Sequence, residues 1–442
     1  MALGASLTNW FLNQLEFMPL DLLRNNALMG TQRILNMIYG DQEAEEVQAL
    51  LRCADEQACQ AATVFLPGVM GSLLASTQGL SSPIWLNPII LLNGQVGLLD
   101  LNDDGTDDRS PDVHIVPVGI EKLTYLKIIL ALAQQTRLYE FPYDWRRHLE
   151  WNAHKLQQAL QRWSRNDPER RFVLVGHSMG GMLARTYLAL YPQEAEQRIQ
   201  RVIMIGSPLY GVALATLIFS GETAQTQMVA RLHPNNDVVR LCANFPASYQ
   251  LLPPPPELFP SGRPYPANWD LYDARAWHLP HIRQDYLDDA RRLHYLWAEA
   301  DPQVDVVEIA GCHCETVTDV LFLLDEDAGV AERPHFTPVS QESGEDSGDD
   351  TVPLWSVRRP GITTYYCEEH HHLLPSQREV LEAVLQLVRG EKPALPTELP
   401  APSGLLERLA PSSLWQQVAE LRRRIERGQF SLEDLQKLRF TS

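Results

Sequence analysis

The segment that most restricts what this chain can become is Arg171-Phe172-Val173-Leu174-Val175 followed at once by Gly176-His177-Ser178-Met179-Gly180-Gly181 and then by the helical pattern of Met182 to Leu190. A short apolar run reads as a buried strand, and the glycine-bracketed serine reads as a sharp strand-to-helix turn. Such a turn exposes the serine oxygen, with glycines where a Cβ would clash. A serine hydroxyl is a weak nucleophile until a base removes its proton, so the turn predicts Ser178 as a nucleophile and requires an acid and a base elsewhere. The helix that starts behind it favours developing negative charge.

The rest of the chain alternates in the way such a turn needs. Strands are expected at Ala62 to Leu66, Leu138 to Phe141, Val202 to Ile205, Val304 to Ala310 and Ile362 to Tyr366. Helices are expected near Tyr125 to Ala133, His148 to Trp163 and Arg378 to Val388. The pattern is that of an α/β chain with a mostly parallel central sheet and helices on both faces. Residues 1–60 read as a helical N-terminal extension, with Trp10, Phe11, Leu15 and Met18 at helical spacing. Residues 61–390 form the expected catalytic domain, and the proline-rich stretch 211–272 is the expected cap over its site. Residues 391–411 read as a Pro-rich linker. Residues 412–442 read as a helical tail that either packs on the catalytic domain or forms a module for a partner or a transient membrane-surface contact.

A catalytic set can be chosen in chain order. A tetrahedral intermediate needs two N–H donors. One is the backbone of Met179, directly after the serine. The other is assigned to Val69 in the turn Leu66-Pro67-Gly68-Val69-Met70-Gly71-Ser72. The acid and base should follow the serine. Ser347-Gly348-Asp349-Asp350-Thr351-Val352-Pro353 supplies a turn-forming acidic loop, and Glu368-Glu369-His370-His371-His372 precedes the last helix. Asp349 and His370 are the choices, although the residues alone do not separate Asp349 from Asp350.

These segments resemble the lecithin:cholesterol acyltransferase-like family of lipases and acyltransferases. The resemblance is carried by the Leu66 to Ser72 turn, by Phe141-Pro142-Tyr143-Asp144-Trp145-Arg146, by the serine turn, by Phe245 to Pro253 and by Gly348 to Pro353. It spans about residues 62 to 390. It implies an α/β-hydrolase fold and a serine esterase or O-acyltransferase that works on lipid or acyl-ester substrates through an acyl-enzyme. It also implies a base of the form His-x-x-Leu/Met, which His370 satisfies with Leu373, whereas His371 and His372 are taken to fit the spacing less well. The paired cysteines that staple the lid of secreted animal members have no clear equivalent.

Composition excludes other classes. Lys and Arg total 37 against 56 Asp and Glu, a formal charge of -19, so nucleic acid would be repelled and is not an expected partner. No apolar run spans a membrane and no secretory leader is evident, so a cytoplasmic protein with reduced thiols is expected. No cofactor or metal is expected. Asp100 to Asp108 has the start of a calcium loop but Pro111 where a bidentate glutamate belongs, and reads as a solvated acidic loop. Neighbouring histidines in an extended segment point to alternate faces and rarely converge on one ion. Two other readings stay open: a non-catalytic interaction protein on a hydrolase scaffold, and a metal-dependent hydrolase. The sequence does not determine the oligomeric state.

Overall fold

The computed structural model describes residues 41–52, 62–78, 82–85, 87–300, 302–324 and 334–402. The helical pattern of residues 1–40 and the tail 412–442 lie outside the described residues. Of the N-terminal extension, the helix Asp41–Arg52 is described, and it packs on the helix Lys122–Gln135.

In chain order the strands are β1 (Ala62–Leu66), β2 (Ser72–Ser76), β3 (Ser82–Trp85), β4 (Ile115–Ile120), β5 (Arg137–Glu140), β6 (Phe172–His177), β7 (Ile199–Ile205), β8 (Asp305–Gly311), β9 (Thr316–Leu324), β10 (Pro334–Gln341) and β11 (Thr363–Cys367). Six of them form one sheet in the order β11-β8-β7-β6-β1-β5. Every neighbouring pair is parallel. This is the α/β-hydrolase arrangement.

Alternation along the central strands explains why both faces are covered. Val64, Leu66, Leu174, Val202 and Met204 point to one apolar layer, while Phe65, Val173, Val175, Ile203 and Ile205 point to the other. Side chains of a strand alternate faces, so a strand buried on both sides must be apolar throughout. Burying each such side chain stabilises by about 1.5–3 kcal/mol. The helices Leu149–Trp163 and Met179–Leu190 pack together on the first face. Lys122–Gln135 and Arg378–Val388 close the second.

The parallel sheet puts all its strand ends with the same polarity on one edge. At that edge the chain leaves β1 toward Gly68, β6 toward Ser178, and β11 toward the histidines. Strand β1 lies between β5 and β6, so the connections diverge there, and the crevice of a doubly wound sheet opens at such a point.

Three elements depart from the reading of the sequence. The proline-rich stretch 211–272, for which no helix is expected from the sequence, carries the helices Leu214–Ser220, Ala224–Leu232, Val238–Ala243 and Pro246–Gln250. A helix at Gln284–Glu299 and an antiparallel hairpin of β9 with β10 follow it. The acidic loop is solvated at Asp103, Asp104 and Asp107, as expected, but is anchored at Asp100 and Asp108. Asp100 is only 2% exposed, accepts from Asn244 Nδ2 at 2.7 Å and pairs with Arg109 Nε at 2.8 Å. Among the described residues no helix is long and apolar enough to cross a membrane.

Candidate active site

Ser178 sits at the end of β6 with φ 53° and ψ -126°, a conformation that L-residues rarely hold. Its backbone N–H donates to Ile205 O at 2.8 Å, which anchors the turn to β7. The glycines allow this geometry. A Cβ on Gly180 would lie 2.2 Å from Leu66 O, and one on Gly176 would lie 2.6 Å from Gly181 N. The helix Met179–Leu190 can therefore start directly against β1 and present its free N–H groups toward the serine.

The turn after β1 lies against the same serine. A Cβ on Gly68 would come within 3.0 Å of Ser178 Cβ. Gly68 N–H is already occupied, donating to the Tyr125 hydroxyl oxygen at 2.9 Å. Val69 N–H and Met179 N–H, the two donors expected from the sequence, meet no protein acceptor among the described residues. Tyr143 O–H donates to Pro67 O at 2.9 Å and Trp145 Nε1–H to Ser72 O at 3.2 Å, so two side chains of the Tyr143 to Arg146 string hold this turn in place.

Asp349 is fully buried. Its Oδ1 accepts from Thr351 N at 3.1 Å and Val352 N at 2.6 Å, which fixes the carboxylate within its own turn. Its Oδ2 accepts from a histidine at 2.7 Å, and that histidine is His371, not His370. The backbone repeats the pairing, because His371 N–H donates to Asp349 O at 2.7 Å. His370 Nδ1 instead pairs with Asp350 Oδ2 at 2.6 Å, nearer the surface. The structure thus pairs Asp349 with His371, which shares a cavity with Ser178, and pairs His370 with Asp350 instead. The reason is geometric: successive side chains of the segment diverge, and the one that turns inward passes over Gly206. A Cβ there would lie 3.0 Å from Asp349 Oδ2 and 3.1 Å from His371 Nδ1.

With Nδ1–H donating to a carboxylate, the His371 Nε2 lone pair is the free basic position. Burial pulls the His371 pKa down, but the charge and hydrogen bond of Asp349 outweigh it and leave the pKa above the ordinary histidine value. His370 is likewise raised, with burial opposed by its bond to Asp350.

Ser178, His371, His372, Val69 and Met179 line one cavity of about 300 Å³. His370 does not. The remaining walls are mostly apolar, among them Trp85, Trp145, Ile218, Val229, Cys242 and Phe245. Burial pushes the Cys242 thiol up to about 12, so it offers no competing nucleophile at neutral pH. Gln250, Trp145 and Arg146 join the cap to the domain rather than facing solvent.

The serine turn, the Tyr143 to Arg146 string and the Phe245 to Pro253 segment all fall inside one family match. Residues 130–266 match the lecithin:cholesterol acyltransferase family model. No curated protein sequence matches the chain. Among solved structures the chain is similar to the Tle4–Tli4 complex, with 15% identity, a TM-score of 0.48, and coverage of 76% of this chain and 99% of that one. It is also similar to the mature lipase BlEst2 of Bacillus licheniformis, at 14% identity and a TM-score of 0.37 over 76% of this chain and 93% of that one. A third is the phospholipase PlaB from Legionella pneumophila, at 12% identity and a TM-score of 0.32 over 75% of this chain and 60% of that one.

The sequence missed two groups at this site. His177 and Tyr125 join Gly68 to the histidine segment through hydrogen bonds. The only sequence signal was a histidine inside the serine turn. Elsewhere, Asp107, Asp108 and His114 lie close enough to suggest a metal group. Asp108 is already committed to Arg146 Nη1 at 2.9 Å, and a carboxylate so paired is a poor metal ligand.

Proposed function

We propose that the chain is a serine hydrolase or O-acyltransferase of lipid acyl esters, with Ser178 as nucleophile, His371 as base and Asp349 as the acid that orients it. The observation that carries this reading is that His371, bonded to the buried Asp349 carboxylate, lines the same apolar cavity as Ser178. In the first step His371 Nε2 takes the Ser178 proton as Oγ attacks the ester carbonyl carbon. Val69 and Met179 N–H stabilise the oxyanion, and collapse of the intermediate gives the alkoxide the proton from His371 and leaves an acyl-serine. Water or a lipid alcohol then takes the acyl group by the reverse sequence. Which acceptor wins depends on how well the cavity mouth holds an alcohol and excludes water. The apolar walls and the family match over residues 130–266 both support a lipid acyl chain as the group bound.

The test is intact mass after incubation with a fluorophosphonate, with peptide mapping. One adduct on Ser178, absent from Ser178→Ala, is the expected result. Ser178→Ala should also lose hydrolysis of a p-nitrophenyl ester by on the order of a million-fold while keeping its melting temperature. No adduct on the folded protein would favour a non-catalytic scaffold. Ester hydrolysis blocked by chelators but not by the fluorophosphonate would favour a metal-dependent route.

A further inference from the structure

His177 is fully buried beside the nucleophile, and the reaction just described makes no use of it. Its ring nevertheless has both nitrogens engaged. Nε2–H donates to His371 O at 3.0 Å. Nδ1 lies 2.9 Å from the Tyr125 hydroxyl, and that hydroxyl oxygen accepts from Gly68 N–H at 2.9 Å. The two ends fix the direction of every proton. A carbonyl can only accept and an amide N–H only donate, so the imidazole must carry its proton on Nε2 and the phenol must donate to Nδ1. One imidazole and one phenol thereby join the turn after β1, the serine turn and the histidine segment.

We infer that His177 and Tyr125 are positioning residues that hold the oxyanion donors and the base in register with Ser178, an inference that rests on the roles given above to Ser178 and His371. His371 is then fixed at three points. Its N–H binds Asp349 O at 2.7 Å, its Nδ1–H binds Asp349 Oδ2 at 2.7 Å, and its carbonyl is held by His177. On the other arm, Tyr125 holds Gly68 and so aims the adjacent Val69 N–H. The two histidine rings also lie 4.7 Å apart between centroids. Burial and the neighbouring His371 hold the His177 pKa well below the ordinary histidine value. The ring therefore stays neutral, and the tether survives, where a surface histidine would charge. The groups facing His371 are Asp349 and Asp350 from the acid loop and His177 from β6, with His370 and His372 beside it on its own segment.

Side chains of different reach separate the two arms. His177→Asn keeps a polar atom near the Nδ1 position but cannot reach the His371 carbonyl. His177→Gln reaches the carbonyl but offers Tyr125 a poorer acceptor. His177→Asn should lower kcat by about 100-fold, the scale of a small misplacement of a reacting group, with KM nearly unchanged. A base held less firmly to Asp349 loses the interaction that raises its pKa, so the acid limb of kcat/KM should move to lower pH. His177→Gln should restore most of kcat and return the limb. Tyr125→Phe should lower kcat toward the ~100-fold loss of an oxyanion donor while the limb stays in place.

Wild-type kcat in His177→Asn would overturn the inference. So would a loss of activity that follows melting temperature alone, with the acid limb unmoved and His177→Gln no better than His177→Asn. Should His177→Asn fail to fold, 15N-histidine spectra of the wild-type protein still decide, using His177→Gln to identify the resonance. One imidazole should stay neutral and Nε2-protonated as long as the fold survives. A His177 that titrates, or carries its proton on Nδ1, refutes the tether. Fluorophosphonate separates the two failures: an unlabelled wild-type Ser178 removes the nucleophile reading, whereas a labelled wild type with an equally fast His177→Asn removes only the tether.

Discussion

In the proposed mechanism, the inward turn of a single side chain selects which histidine serves as base. His371→Ala should be as damaging as Ser178→Ala, because of the histidines lining the cavity His371 is the one whose Nδ1 is held by the Asp349 carboxylate. His370→Ala and Asp350→Asn should keep most activity, since their mutual bond lies outside the cavity. Asp349→Asn should cut kcat by about four orders of magnitude through the wrong tautomer. Side-by-side ester assays check this set, and a dead His370→Ala with an active His371→Ala would reverse the pairing described above. The pH profile follows with a definite sign. His371 must be neutral to act, and Asp349 raises its pKa, so kcat/KM should fall as pH drops through a value above the ordinary histidine pKa of about 6.5. An acid limb clearly below that value would mean the Asp349 bond is not made in solution. The sequence could not settle this residue. The His-x-x-Leu spacing is met by His370 with Leu373, but equally by His371 with Leu374. What separates them is the contact over Gly206, a long-range packing fact that no local pattern carries.

Elements built from periodic sequence were legible, and those built against local rules were not. The strand ending in the serine turn was read almost to the residue, because a fully apolar strand, a glycine turn and a helical pattern all agree there. The β9–β10 hairpin was missed because Pro334 and Pro338 sit in β10, where proline argues against a strand unless it is at an edge. The cap helices were hidden by their shortness and by the four prolines that follow them from Pro253. Two predictions belong to this scale. Gly180→Ala would put a Cβ 2.2 Å from the Leu66 carbonyl, pushing the helix off β1. It should cost about 1–3 kcal/mol of stability along with activity, while Gly97→Ala, with nothing within 4 Å of its Cβ, should do neither. The cap helix Leu214–Ser220 turns Leu214, Ala215 and Ile218 toward the cavity. Ile218→Trp should shorten the acyl chain the site accepts. Each methylene excluded forfeits about 0.8 kcal/mol, so two should lower long-chain relative to acetyl-ester kcat/KM roughly 15-fold. An unchanged chain-length profile would mean that the acyl group lies elsewhere.

Across the whole molecule, two ion clusters tie the acidic loop to the Tyr143 to Arg146 string on one side and to the segment 240–244 on the other. Arg146 is fully buried and grips Asp144 through Nε at 2.9 Å and Nη2 at 2.7 Å, Asp108 at 2.9 Å and the Leu99 carbonyl at 2.8 Å. Asp100 in the same loop accepts from Asn244 and pairs with Arg240 at 3.3 Å, both just before the cap meets the domain. Buried charges are tolerable only while paired, because removing one partner leaves the other desolvated and uncompensated, at about 3–5 kcal/mol. Arg146→Met should therefore lower the melting temperature sharply. The double variant Arg146→Met with Asp144→Asn should recover part of the loss, since it removes a buried carboxylate left with Arg147 Nε at 3.1 Å as its remaining charged partner. The acid dependence gives a second reading of the Arg146 cluster. Burial alone would raise the Asp144 pKa, but the charge and hydrogen bonds of Arg146, then Arg147, outweigh it and leave the pKa below the usual value. A carboxylate with a depressed folded-state pKa stabilises fully above its unfolded value, about 3.9, and that contribution disappears as pH falls through the folded one. Scanning calorimetry between neutral pH and the acid limit should therefore show the wild-type melting temperature falling more steeply below about pH 4 than that of the double variant, which has no Asp144 carboxylate to protonate. Parallel curves would mean that the charged Asp144 carboxylate adds nothing to folding, and that Arg146 is held by Asp108 and the Leu99 carbonyl instead.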